Sequence, residues 1–201
     1  MILKSVRKKS IILFATLCPS LAFADGYIES MNSFFKGFLN PVLVPSLIIL
    51  VIASAVYLGQ QDQKDNFKIL LSYLIATVIG AILSATIIPG SYEILILFIA
   101  SILGLLSALN LSLKRIGYLI IAIVTGALLG IESTPVDILA KDKFSFLLAS
   151  TLSLYLLFLS IITLSSLATK YEWQKISLRV IGSWIIAISL LVITLSFAKP
   201  I

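Results

Sequence analysis

The sequence predicts an all-α, polytopic membrane helix bundle of about six transmembrane helices that follow a cleaved signal peptide. Three observations predict it. The 201 residues are 60% hydrophobic and 12% charged, against roughly 45–50% and 25% in soluble domains, and the mean hydropathy is +1.14. Apolar stretches of spanning length recur along the chain between short polar breaks, and the N-terminus has the layout of a secretory signal. One crossing takes about 20 apolar residues, so the length allows at most about seven and leaves no room for a separate water-soluble domain.

The leader comes first. Lys4, Arg7, Lys8 and Lys9 form a basic region, residues 11–18 an apolar run too short to span, and Ala22-Phe23-Ala24 an A-x-A cleavage pattern before Asp25-Gly26. Residues 1–24 are therefore expected to be removed, the alternative being an uncleaved anchor. Cys18 follows the bulky Leu17, unlike a lipoprotein cysteine, and is read as an apolar filler that leaves with the signal. Without the leader the fifteen cations fall to eleven against nine acids, a net charge of +2. The basic balance is mostly a targeting signal and does not indicate a nucleic-acid partner.

In the mature chain, residues 27–39 place Met31, Phe34, Phe35 and Phe38 at helical spacing. That pattern suits a short amphipathic helix anchored on the outer membrane surface. Spans are expected at about 42–59, 69–88, 92–112, 116–131, 145–168 and 180–198, the fourth short and the fifth long. A cleaved signal leaves the new N-terminus outside, so the first, third and fifth breaks should face the cytoplasm. Those breaks carry Lys64, Lys68, Lys114, Arg115, Lys170, Lys175 and Arg179, whereas the outer segments carry Lys36, Lys141, Lys143 and Lys199. The excess supports the orientation, and the expected location is a bacterial-type inner (plasma) membrane with the mature N-terminus on the periplasmic side. Acids lean the other way, with Asp25, Glu29, Glu93, Glu132, Asp137 and Asp142 outside.

Helices in lipid approach closely where small residues let backbones meet. The second span carries Ser72, Ala76, Gly80 and Ser84 in register, the third Ala100, Gly104 and Ala108, the fourth Ala122, Gly126 and Gly130. A compact centre built from spans two to four is expected, with the Gly126–Gly130 pair packing within the chain or against a second copy. The Leu-rich fifth span, including Leu148, Leu152, Leu154 and Phe158, is expected to be more peripheral and lipid-facing.

His is absent and Cys18 is the single cysteine, so imidazole or thiolate metal sites, Ser/His or Cys nucleophiles and disulfide frameworks lack their raw material. No phosphate-binding loop, dinucleotide fingerprint or zinc motif is present; neither a cofactor nor enzymatic activity is expected. No ionisable residue lies near a span centre. Glu93 opens the third span and Glu132 closes the fourth, where they are either solvated boundary residues or a shared outer cation site. Buried Ser and Thr can bond to the preceding helical turn. Asn110 is placed at the wet cytoplasmic end of its span. Pro41 and Pro45 either free carbonyls that line a cavity or occupy a helix's first turn, the more routine role.

The order of segments resembles one family. Gly37-Phe38-Leu39-Asn40-Pro41, then Ile88-Pro89-Gly90 followed by Glu93, then Thr125-Gly126-Ala127-Leu128-Leu129-Gly130, are similar to the HupE/UreJ family of hydrogenase and urease accessory membrane proteins. The resemblance implies a membrane protein proposed to admit nickel or cobalt. The family's first-span motif of His, Pro, Gly, Asp and His would fall on Asn40, Pro41, Val44, Ser46 and Leu47, of which Pro41 matches. Its fourth-span His-Gly motif would fall on Thr125, Gly126, Ala127, Leu129 and Gly130, of which the glycines match. Asn, Ser, Thr and Leu are poor replacements for imidazole and carboxylate toward a transition-metal ion.

Two readings of function follow. In one, the chain is a permease or channel for a divalent cation or another small solute, with Glu93 and Glu132 at its outer mouth. In the other it is a non-transporting membrane accessory or scaffold subunit. The lipid bilayer is the expected environment in both, and a membrane-protein partner or a homo-oligomer stays open.

Overall fold

The computed structural model describes residues 32–61, 66–86, 92–133, 140–169 and 171–198. The signal-peptide assignment, Met31 and the Ile88-Pro89-Gly90 motif lie outside the described residues. Within them the chain is helical throughout, in seven helices: α1 (Ser33–Leu43), α2 (Pro45–Gln60), α3 (Asn66–Thr86), α4 (Glu93–Ala108), α5 (Arg115–Glu132), α6 (Ala140–Leu167) and α7 (Glu172–Ala198). The helices α3, α5, α6 and α7 are long and apolar enough to cross a membrane, and the bent pair α1–α2 passes the same test as one unit. At 16 residues, α4 is the short apolar helix of the bundle.

Two corrections concern the first span. The pre-span helix does not end at residue 39 but runs on to Leu43, and it joins α2 at a 65° bend. Pro41 lies inside α1, not in a first turn, whereas Pro45 takes the first position of α2. Proline lacks an N–H, so Pro41 leaves the carbonyl of Gly37 without its helical donor and Pro45 does the same for Pro41. Val44, extended at φ −90° and ψ 110°, takes up the bend between them. The amphipathic pattern of α1 is real, with Phe34, Phe35 and Phe38 exposed. Its other side packs on the bundle; Gly37 and Pro41 are buried, Gly37 directly against the Phe146 carbonyl of α6.

The centre also differs from expectation. The hub is α2, which packs against α1, α4, α5, α6 and α7 and whose residues from Ala53 to Gly59 are all buried. A helix apolar on every side belongs in the middle of a bundle. The small-residue seams fall into two separate pairs. Along α3 and α5, which run parallel, Gly126 meets the Tyr73 carbonyl, Gly130 meets Thr77 and Ala81, and Gly80 meets Ala127. The third-span glycine instead pairs with the sixth: Gly104 and Gly182 face each other, each where a Cβ would stand 2.9 Å from the other's carbonyl oxygen. Between α4 and α5, neighbours in the chain, contact along their lengths is slight.

The Leu-rich α6 is only partly peripheral. Leu148, Leu152 and Leu156 face outward, but Phe146, Ala149, Leu154 and Phe158 are buried against α1 and α2. Phe158 stacks on Tyr73 of α3, ring centroids 3.8 Å apart and 6° from parallel. Finally, α7 begins eight residues before the expected span, so Trp173, Lys175 and Arg179 are helical.

Where two backbones touch, a single methyl forces them apart, and overpacking of this kind costs typically 1–3 kcal/mol. Gly130→Ala should therefore lower the melting temperature of the detergent-solubilised bundle by several degrees. Gly117→Ala, whose new Cβ would meet Leu113 Cβ at 3.2 Å in the exposed, non-helical segment before α5 and no backbone of another helix, should lower it much less.

Candidate functional site

Polar groups gather at the two ends of the bundle. At one end stand Glu93, at the start of α4, and Glu132, at the end of α5. Glu132 accepts a hydrogen bond from the Tyr92 N–H at 3.0 Å. Tyr92 is the residue preceding α4, where backbone donors lack helical partners and the helix dipole favours negative charge. The carboxylate of one helix thus caps the start of another, and the Glu93 charge lies near enough to repel it. Helix α5 continues one residue into a turn at Ser133, whose carbonyl accepts a 3.3 Å hydrogen bond from Asn40 Nδ2 across 93 positions of sequence.

That bond ties the first motif segment singled out from the sequence to the turn three residues beyond the second. Asn40 and Pro41 come from the last turns of α1, and Thr125, Gly126 and Gly130 from the second half of α5. Their roles diverge. Pro41 is buried beside the bend, and the Ser46 hydroxyl, fully enclosed in the first turn of α2, has no hydrogen-bond partner among the described residues. Thr125 bonds the Ile121 carbonyl of its own helix at 2.7 Å. Gly126 and Gly130 are packing positions against α3, and Leu47 and Leu129 are core residues. Glu132 and Glu93 therefore lie near each other, Asn40 holds the turn after Glu132, and Thr125 and the glycines support the scaffold. Among the described residues no group of three or more His, Cys, Asp or Glu side chains is placed to hold a metal ion.

The other end carries a network the sequence did not suggest. Helix α4 stops in a turn with Asn110 at φ 51°, the left-handed geometry that Asn tolerates. The Leu111 N–H bonds back to the Leu106 carbonyl and the Asn110 N–H to that of Ser107, which closes the helix end. The turn is then pinned to α2. Tyr57 donates its hydroxyl to the Leu111 carbonyl at 2.9 Å, and Tyr118 of α5 donates to Gln61 Oε1 at 3.1 Å while accepting the Leu113 N–H at 2.8 Å. Arg179 of α7 donates to the Ala108 carbonyl at 2.9 Å, a cation at the negative end of α4.

The Glu132 cap separates charge from bonding capacity. Glu132→Ala should destabilise the bundle by about 0.5–2 kcal/mol, the usual worth of a side-chain cap. Glu132→Gln, which keeps an accepting oxygen, should retain most of that stability; chemical or thermal melts in detergent measure both.

A family model described as HupE / UreJ protein matches residues 13–193. No curated protein and no solved structure matches the chain.

Proposed function

The chain belongs to the HupE/UreJ family, and from that premise we propose that it is a six-span permease of the inner membrane, without enzymatic activity, that passes a divalent cation such as nickel or cobalt, or another small solute. In this reading residues 1–24 are removed, the mature N-terminus lies on the periplasmic side, and the end bearing Glu93 and Glu132 is the outer mouth. The observation that supports the reading is the Asn40–Ser133 hydrogen bond, which ties the first motif segment to the turn that follows Glu132, whose carboxylate reaches the start of α4 at Tyr92.

The chemistry suits passage more than retention. Two carboxylates at a helix boundary raise the local concentration of a divalent cation. Oxygen ligands hold nickel or cobalt less tightly than imidazole would, and conduction requires sites weak enough to leave. The bend at Val44 adds carbonyls without helical donors near the same mouth, an irregularity that membrane backbones tolerate where it is enclosed by protein or lines a cavity. A second reading, a non-transporting accessory subunit, is favoured by the Asn40, Ser46 and Thr125 replacements at the family's ligand positions.

Cells expressing the chain should accumulate nickel or cobalt above an empty-vector control. The double variant Glu93→Gln/Glu132→Gln, matched for membrane insertion, should return accumulation toward the vector level. Wild-type accumulation in the variant would remove the glutamates from the path, and none in the parent protein would favour the accessory reading.

A further inference from the structure

The end opposite the glutamates holds a cavity of about 430 Å³ enclosed by α2, the turn after α4, and the facing ends of α6 and α7. Gln60, Gln61, Asn110, Ser112, Lys175 and Arg179 give it a polar lining that has, among the described residues, two cations and no acid. Both amide atoms of Gln60 are buried without a hydrogen-bond partner among the described residues, a costly state unless something supplies one. Lys175 contacts Glu172 at 2.8 Å, but this is an exposed i,i+3 pair, with Glu172 86% accessible, and such pairs are easily exchanged.

Leu178 closes the cavity on one side and also lines a second space. That space is an apolar groove of about 420 Å³ between α6 and α7, floored by Ile52 and Val56 of α2 and walled by Ile161, Leu164, Trp173 and Ile181. Its polar lining residues are Ser165, Ser177 and Gln174, and the buried Oε1 of Gln174 also lacks a partner among the described residues. A cationic, hydrogen-bonding chamber at a helix end thus adjoins an apolar slot along the helices, with one leucine between them.

We propose that this pair of spaces binds one anionic phospholipid, its phosphate between Lys175 and Arg179 and an acyl chain in the α6–α7 groove. Basic pockets between transmembrane helices are where anionic headgroups bind, and they do so on the side where lysines and arginines concentrate. The Gln60 Nε2–H donates to a remaining phosphate or ester oxygen, and the unpartnered Oε1 atoms of Gln60 and Gln174 accept from hydroxyls of a glycerol headgroup. A soluble anion would fill the chamber but leave the groove unexplained; the adjacency of the two on either side of Leu178 selects a lipid. The proposal concerns the end of the bundle away from the glutamates and stands whether or not the protein moves metal.

Trp173 on the groove wall is the reporter. The sequence has two tryptophans, so the full-length protein carrying Trp184→Phe is placed in nanodiscs containing brominated phosphatidylglycerol or brominated phosphatidylcholine. Quenching of Trp173 should favour phosphatidylglycerol by roughly fivefold per cation engaged, the attraction of one Lys or Arg to anionic lipid. Lys175→Gln alone, at an exposed position, should weaken the preference, and Lys175→Gln/Arg179→Gln should abolish it. Equal quenching by the two lipids, or an unchanged preference in the Lys175→Gln protein, overturns the proposal. So does loss of the preference on adding inorganic phosphate at constant ionic strength, which would identify a soluble-anion site.

Discussion

Backbone contact between helices is the constraint from which the rest of this bundle follows. In lipid, apolar side chains gain little from touching one another, so stable pairing requires peptide groups close enough for van der Waals packing. Here that happens where Cβ is missing: Gly126 and Gly130 against α3, and Gly104 against Gly182. These contacts create two helix pairs, α3–α5 and α4–α7, which have little contact with each other across the α4–α5 boundary. A separate hub is then needed, and α2 fills it because its Leu, Val, Ala and Ser residues can be enclosed on every side.

The ends of the helices show the complementary demand, that every backbone group freed at a helix terminus find a partner. Side chains from neighbouring helices satisfy it. Glu132 of α5 serves the start of α4, Arg179 of α7 serves its end, and Tyr57 of α2 serves the turn that follows. Chemically interesting groups sit at the bundle ends for this reason before any question of ligands arises. The same residues hold the helices in axial register, so function at either end is built on structural duties already in place.

The class of fold was legible because hydropathy over 20 residues is a property of the sequence alone, and the helix positions followed from it. Which helix pairs with which was not. Gly104 announces a close neighbour without naming it, and Gly182 stands without companions in register, so the α4–α7 pair was not expected and span three was instead assigned to the seam that spans two and four do form. The bend was half visible: Pro41 and Pro45 were noted, but whether a proline starts a helix or sits inside one depends on how far the preceding helix extends. At the candidate site, the nearness of Glu93 and Glu132 was legible from span boundaries, and the capping bond was not, because it depends on placement to a fraction of an ångström. The opposite chamber was missed because Lys175 and Arg179 were counted as loop charges. Their spacing of four, with Leu178 between, was the available sign that both lie on one face of a helix.

The shortness of α4 has a consequence for the surrounding bilayer. Sixteen residues at 1.5 Å each reach about 24 Å, some 6 Å less than a typical hydrocarbon layer. Ile94, Phe98, Ile102 and Leu105 nevertheless expose apolar surface along it, so in the six-span reading lipid would meet this helix over a reduced height. Local thinning of the membrane is the usual accommodation, at fractions of a kcal/mol per ångström. In the six-span reading the protein would thus impose a dimple centred on α4, drawing Glu93 and the turn at Asn110 toward each other's aqueous phases and narrowing the dielectric barrier between them.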